Sequence, residues 1–357
     1  MKMYSVRLLF WGVLCGATFQ LGCISDSVER ISEADLTPVK GRIRGEQEFE
    51  KDIVLAKGIK MRARIDVTNK GNGTLRIGNL CVKVFDGHCD GCYDEAWTSN
   101  IDFVDLDGDG KKDLVISRVA CFTDDKGDEV LHREAVVLIY ALQPDRTFKR
   151  VYSNVSKSFA RLWDWQEPER KEEKKEFKPP TDPFFANSAV LTSWDDLKPF
   201  ADSVDRISRT DLKPAEDGMP GEKMFEKNIA LANGIKMQAR IDVTPKGIGY
   251  LQIGNLNVKV FDSHKDGGYY ENEMLNIDFV DIAGDGKKDL VISGIACYTG
   301  EKDDSVLCRE AVVLIYTLLP DLTFKQVYSA QSWSLARQGE QYRKNLIRSK
   351  CLSYGDM

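Results

Sequence analysis

NIDFVDLDGDGKKDLVIS, residues 100–117, passes from one β-branched, alternating segment through four aspartates and straight into a second apolar segment. Carboxylates crowded this closely repel and raise one another's pKa unless a cation neutralises them, so their spacing is informative. With Asp105 as position 1, acids stand at positions 1, 3, 5 and 9 (Asp105, Asp107, Asp109, Asp113). Gly110 falls at position 6 and the Lys111 carbonyl at position 7. Those offsets present oxygen donors to a hard cation such as Ca2+, and the glycine allows the sharp turn such a loop needs. A helix–loop–helix site does not fit. Position 12 is Ile116, where a bidentate glutamate is required, and the flanks NIDFV and LVIS are patterned as strands. The loop is therefore expected to join two strands and to offer Asp105, Asp107, Asp109, Asp113 and the Lys111 carbonyl to one cation. The plainer alternative is a solvated acidic turn, because Asp and Gly favour turns in any case.

The stretch DIAGDGKKDLVIS at 281–293 is a second copy, offering Asp281, Asp285, Asp289 and the Lys287 carbonyl, with Ala283 where Asp107 stands. Other segments return at the same offset of 176 residues: IDVTNKGNGTLRIGNLCVKVFD (65 to 241), REAVVLIYALQPDRTFKRVYS (133 to 309) and VERIS (28 to 204). The repeat unit runs over 28–160 and again over 204–336, a domain's length and far beyond that of a solenoid repeat. Within a unit, segments 59–68, 75–85, 101–105, 113–117, 135–142 and 148–152 read as strands, with NKGNG and QPDRT as turns. The fold class expected is all-β: two tandem homologous domains of antiparallel sheets, blade-like or sandwich-like. The last four strands are expected to form one sheet, and the earlier hairpin a second sheet packed against it.

The D-x-D-G-D-G-x-x-D-L-V pattern between strands resembles the calcium loop of FG-GAP and VCBS-type repeats, found in integrin α propellers and in many exported bacterial proteins. The likeness is specific over about 101–118 and 277–294. Family members usually carry several short repeats that close a propeller, whereas this chain carries two loops far apart. The resemblance implies calcium ligation by Asp105, Asp107, Asp109 and Asp113, and in the second copy by Asp281, Asp285 and Asp289.

Residues 1–23, MKMYSVRLLFWGVLCGATFQLGC, place Lys2 and Arg7 ahead of an apolar run too short to span a bilayer as a typical helix. This is the pattern of an export signal. Its end, Leu21-Gly22-Cys23, resembles a bacterial lipobox, with Gln20 where an apolar residue is usual, and implies a lipid anchor on Cys23; ordinary signal cleavage nearby is the alternative. Export would put the domains in an oxidising, calcium-rich milieu. Between the units, residues 163–203 combine the mixed-charge run EPERKEEKKEFKPP, expected to be a solvated linker, with an aromatic stretch from Thr181 to Ser203 expected to pack on a domain. Residues 337–357 form a C-terminal tail. With 50 basic and 56 acidic residues and a net charge of −6, the chain has no basic tract for nucleic acid. The partner expected is an unidentified envelope protein or glycan, with the membrane reached through Cys23.

Cysteines divide the copies. Cys81, Cys89, Cys92 and Cys121 in the first face Asn257, Lys265, Gly268 and Cys297 in the second. Disulfides among Cys81, Cys89 and Cys92 suit an exported protein. A zinc site of Cys89, Cys92, Cys121 and His132 and a redox CxxC are the alternatives. In the second copy, Cys308 replaces His132 and is a candidate disulfide partner for Cys297, the alternative being a buried free thiol. His88 and His264 sit in Gly- and Asp-rich turns, and Trp97, Tyr269 and Tyr270 are expected to cover a core. No GxSxG, HExxH or phosphate-binding glycine loop occurs, so a binding or structural module is favoured and an envelope polysaccharide hydrolase is the alternative.

Overall fold

The computed structural model describes residues 28–154 and 204–330, apart from 32–34, 39–45, 70–71, 86–91, 95–99, 124–129, 216–219, 264–268, 271–273 and 300–305. The segment read as an export signal, with Cys23, and the expected linker and tail lie outside the described residues. In the first copy the strands are β1 (Glu29–Ile31), β2 (Thr37–Pro38), β3 (Gln47–Ala56), β4 (Ile59–Val67), β5 (Gly73–Ile77), β6 (Leu80–Phe85), β7 (Cys92–Asp94), β8 (Asn100–Val104), β9 (Asp113–Thr123), β10 (Val130–Leu142) and β11 (Phe148–Ser153). The second copy repeats them as β12 (Asp205–Ile207), β13 (Lys213–Pro214), β14 (Lys223–Ala232), β15 (Ile235–Val243), β16 (Ile248–Ile253), β17 (Leu256–Asp262), β18 (Tyr269–Tyr270), β19 (Asn276–Val280), β20 (Asp289–Thr299), β21 (Val306–Leu318) and β22 (Phe324–Ser329).

Each copy is a two-layer sandwich of antiparallel sheets. The outer sheet is the meander β2-β3-β4-β5-β6, and the inner sheet has the order β1-β8-β9-β10-β11, with β7 also pairing with β9; the second copy has the same order. The all-β, two-domain expectation and the packing of the early hairpin on the later four strands both hold. Two details differ. Residues 75–85 are two strands, because Gly78, at φ +55, and Asn79 turn the chain between β5 and β6. The Asn79 side chain then pairs with the Phe148 backbone in both directions, donating from Nδ2 at 3.1 Å and accepting at Oδ1 at 2.7 Å, which ties the outer sheet to the inner one. Asn255 and Phe324 repeat the contact at 3.0 and 2.7 Å. Strand β3 is the second addition: QEFEKDIVLA alternates Phe49, Ile53 and Leu55 inward against charged neighbours, and it supplies the sandwich core.

The inner sheets are apolar on both faces. On β10, Val136, Leu138 and Tyr140 point into the first sandwich, while Val137 and Ile139 point the other way. The outward set joins Val313, Ile315 and Tyr328 of the second copy in one buried cluster, so the two domains pack inner sheet against inner sheet in four layers. Two buried aspartates lie at this junction, each wholly excluded from solvent. Asp102 is gripped by Arg30 at 2.6 and 2.8 Å and accepts the Tyr328 hydroxyl of the other domain at 2.6 Å. Asp278 is gripped by Arg206 at 2.6 and 2.7 Å and accepts the Tyr152 hydroxyl at 2.5 Å. A buried carboxylate demands such pairing. Burial, and then the neighbouring carboxylate charge, push both phenols well above the usual tyrosine range.

The near-symmetry fails at a second buried part of the junction, the end of each inner sheet. Asn154 accepts the Val137 amide at 2.7 Å and donates to the Ala135 carbonyl at 2.8 Å and to Ser293 Oγ across the junction at 3.0 Å. Its counterpart is Ala330, and the counterpart of Ser293, Ser117, is buried with no hydrogen-bond partner among the described residues. Ala330→Asn is therefore expected to stabilise the protein by about 1 kcal/mol. Denaturant melts check this; a destabilised variant would mean that the site lacks room for the amide.

Glu310 on β21 gives a pH-dependent contribution. Burial pushes its carboxyl up to about 7, with the charge of Arg30 pulling weakly the other way. A folded pKa above the unfolded value near 4.5 favours the folded state at low pH, and the benefit is lost as pH rises through about 7. Stability is expected to fall by about 2–3 kcal/mol on this account between about pH 4.5 and 7.5, and Glu310→Gln is expected to flatten that slope. Paired melts across this range measure it.

Candidate cation-binding loops

The loop between β8 and β9 is built by its own aspartates. Asp105 accepts the amides of Gly108 at 2.7 Å and Gly110 at 3.0 Å, Asp107 accepts that of Asp109 at 3.0 Å, and Asp109 accepts that of Lys111 at 2.7 Å. Gly108 and Gly110 sit at φ +81 and +82, where only glycine is unstrained, although a Cβ at either would meet nothing. The result brings carboxylate oxygens of Asp105, Asp107 and Asp109 within 4.8 Å of one another. An all-oxygen, carboxylate donor set of this kind fits a hard divalent cation. Partial desolvation pushes the Asp107 carboxyl up, and the charges of Asp109 and Asp105 add to the rise. The Lys111 ammonium rests on Asp109.

Asp113 is placed apart from that trio. It is buried at the loop base, where its two oxygens accept the amides of Leu106 at 3.3 Å and Leu142 at 3.0 Å, fastening the loop to the end of β10. Burial, together with the charges of Asp107 and Asp109, pushes it up to about 7. Two more ties fix the loop. The Lys112 amide donates to the Leu55 carbonyl of the outer sheet at 2.7 Å. Leu106, at loop position 2, buries its side chain in the junction between domains, and its carbonyl accepts the Thr317 hydroxyl of the other domain at 3.0 Å.

The second loop keeps the same frame without its third acid. Asp281 accepts the amides of Gly284, Asp285 and Gly286 at 2.7, 3.1 and 2.9 Å, and Asp289 accepts those of Ile282 and Leu318 at 3.2 Å each. Burial likewise pushes Asp289 up to about 7. Against the cost of its own desolvation, hydrogen bonds from the Lys287 ammonium, at 2.8 Å, and amide hold Asp285 below the usual carboxylate range. Ala283 is exposed and leaves a methyl where Asp107 stands. Among the described residues, three acids converge in the first loop alone.

Comparison of the chain with protein-family models, with curated proteins and with solved structures finds no match. The chemistry of the site therefore rests on these residues.

The cysteines separate from it. Cys81 and Cys297 are buried and neither is in a disulfide, which for Cys297 is the thiol alternative. Cys308 is registered opposite Tyr298, and Arg309 is opposite Cys297. Cys92 is registered opposite Phe122; Cys89, His88, His264 and Trp97, and the side chains of Cys92, Cys121, His132 and Tyr269, lie outside the described residues. Tyr270 is buried in the second core with the Lys259 ammonium 5.7 Å from its ring centre.

Proposed function

We propose that this chain is an exported, lipid-anchored, calcium-binding β protein that serves as a binding or structural module at the bacterial cell envelope. The convergence of Asp105, Asp107 and Asp109 on one glycine turn carries the calcium part of this reading. Asp113 and the Lys111 carbonyl complete the donor offsets in the first loop, and Asp281, Asp285, Asp289 and the Lys287 carbonyl provide a sparser set in the second. When bound, calcium supplies charge neutralisation to a loop that otherwise holds unbalanced acids. The export pattern and Cys23 support an envelope location, with the membrane reached through the lipid and an envelope protein or glycan as the partner.

Thermal melts of the mature chain with EDTA or calcium test the metal. At a hundredfold excess over Kd, calcium is expected to add about 2.7 kcal/mol of stability and to raise Tm by several degrees. No shift at millimolar calcium would leave the acids as turn formers. Fatty-acid labelling in a diderm host, abolished by Cys23→Ser, tests the anchor. A glycan and peptidoglycan array read for both retention and product release separates a binding module from a hydrolase.

A further inference from the structure

We infer that the junction face of each inner sheet is a docking surface for a second copy of the same domain, so that this chain is a two-fold dimer carried on one polypeptide and held by that face. The contacts have the reciprocity that a two-fold interface imposes: what residue i of one half does to residue j of the other, j returns to i. Tyr152 of the first domain donates to Asp278 of the second at 2.5 Å, and Tyr328 of the second donates to Asp102 of the first at 2.6 Å. Each acceptor is held by the arginine of its own domain, Arg30 or Arg206. The apolar contacts repeat in kind, with Val137 and Ile139 meeting a cluster that contains Val313 and Ile315. The sequence beneath is the same in both copies, VVLIY at 136–140 and at 312–316, NIDFV at 100–104 and at 276–280.

These features differ from a contact that merely follows from tethering. Tethered domains need not bury ionised groups against each other, since a desolvated charge costs several kcal/mol unless its partners are in place. Here each domain buries an aspartate whose hydrogen bonding is completed by a phenol on the other domain. The faces are therefore complementary as built, and a ligand of the intact chain must meet the outer sheets or the loops.

The test is to place a specific protease site within residues 167–180, cleave the folded full-length chain, and follow the two fragments by size-exclusion chromatography with light scattering across a dilution series. The fragments are expected to elute as one particle with the mass of the uncut chain. The double variant Tyr152→Phe, Tyr328→Phe keeps both rings in the core and removes the hydrogen bonds that the two phenols make across the junction, with Asp278 and Ser293 and with Asp102 and Arg30. Its fragments are expected to dissociate at least tenfold more readily. Separation of the wild-type fragments at micromolar concentration would overturn the proposal. So would cohesion that the double variant leaves unchanged.

Discussion

Asp278→Ala is expected to cost about 3–5 kcal/mol and to turn a single unfolding transition into two, as read by calorimetry of the full chain. The carboxylate removed is wholly buried and accepts three hydrogen bonds, two from Arg206 and one from Tyr152. Its loss leaves a fully buried phenol, and a guanidinium with 33% of its side chain exposed, without their acceptor, which is the expensive way to break a buried pair. The two donors sit on different domains, so the damage falls on the junction as well as on the second sandwich. Tyr152→Phe leaves the ion pair intact and removes one charge-assisted bond, so it should cost less, about 1.5–3 kcal/mol. A double-mutant cycle between the two positions should then show coupling of 0.5–3 kcal/mol, since both report on one contact. If Asp278→Ala melts within 1 kcal/mol of the wild type in one transition, the junction is not what joins the domains.

That junction was the least legible part of the chain. The sandwich follows from alternation: Ile65, Val67, Leu75 and Ile77 face inward at every second position, as a sheet with one wet face requires. The segment AVVLIYAL at 135–142 does not alternate, and an unbroken apolar run signals a strand buried on both faces. A second sign was Asp102 inside NIDFV, a charge in an apolar strand that must find a buried partner. Neither sign names the partner, because contacts such as Tyr328 with Asp102 join residues 226 apart in sequence. The loops behaved differently. Their donor spacing is local, and Asp105, Asp107 and Asp109 come together through turns that the sequence spells out. The anchoring of Asp113 to Leu142 was not legible, since it depends on where β10 ends.

The two loops differ by one side chain, and that difference sets the second large effect. Asp107 adds a third carboxylate within 4.8 Å of Asp105 and Asp109, whereas Ala283 offers none; the lysine pairing is common to both loops, Lys111 on Asp109 and Lys287 on Asp285. Calcium affinity follows ligand charge and number, and one carboxylate is worth on the order of 1–3 kcal/mol, or about ten- to a hundredfold. Titration calorimetry of the full chain is therefore expected to resolve a tighter site that Asp107→Ala abolishes and a weaker one that Ala283→Asp strengthens by a similar factor. Asp107 is exposed, and the hydrogen bond it accepts from the Asp109 amide is set against the desolvation and acidic neighbours that push its carboxyl up, so removing it is expected to change the stability of the apo fold little. The variant's melting temperature in EDTA separates the two effects: a loss of calcium response with an unchanged or raised apo Tm is a ligand lost, while a lowered apo Tm is a loop broken. Because Leu106 and its carbonyl engage the other domain, calcium at the first loop should also slow amide exchange on β21 near Thr317. Should Asp107→Ala leave the tighter site untouched, the acids of the first loop hold its turn and nothing more.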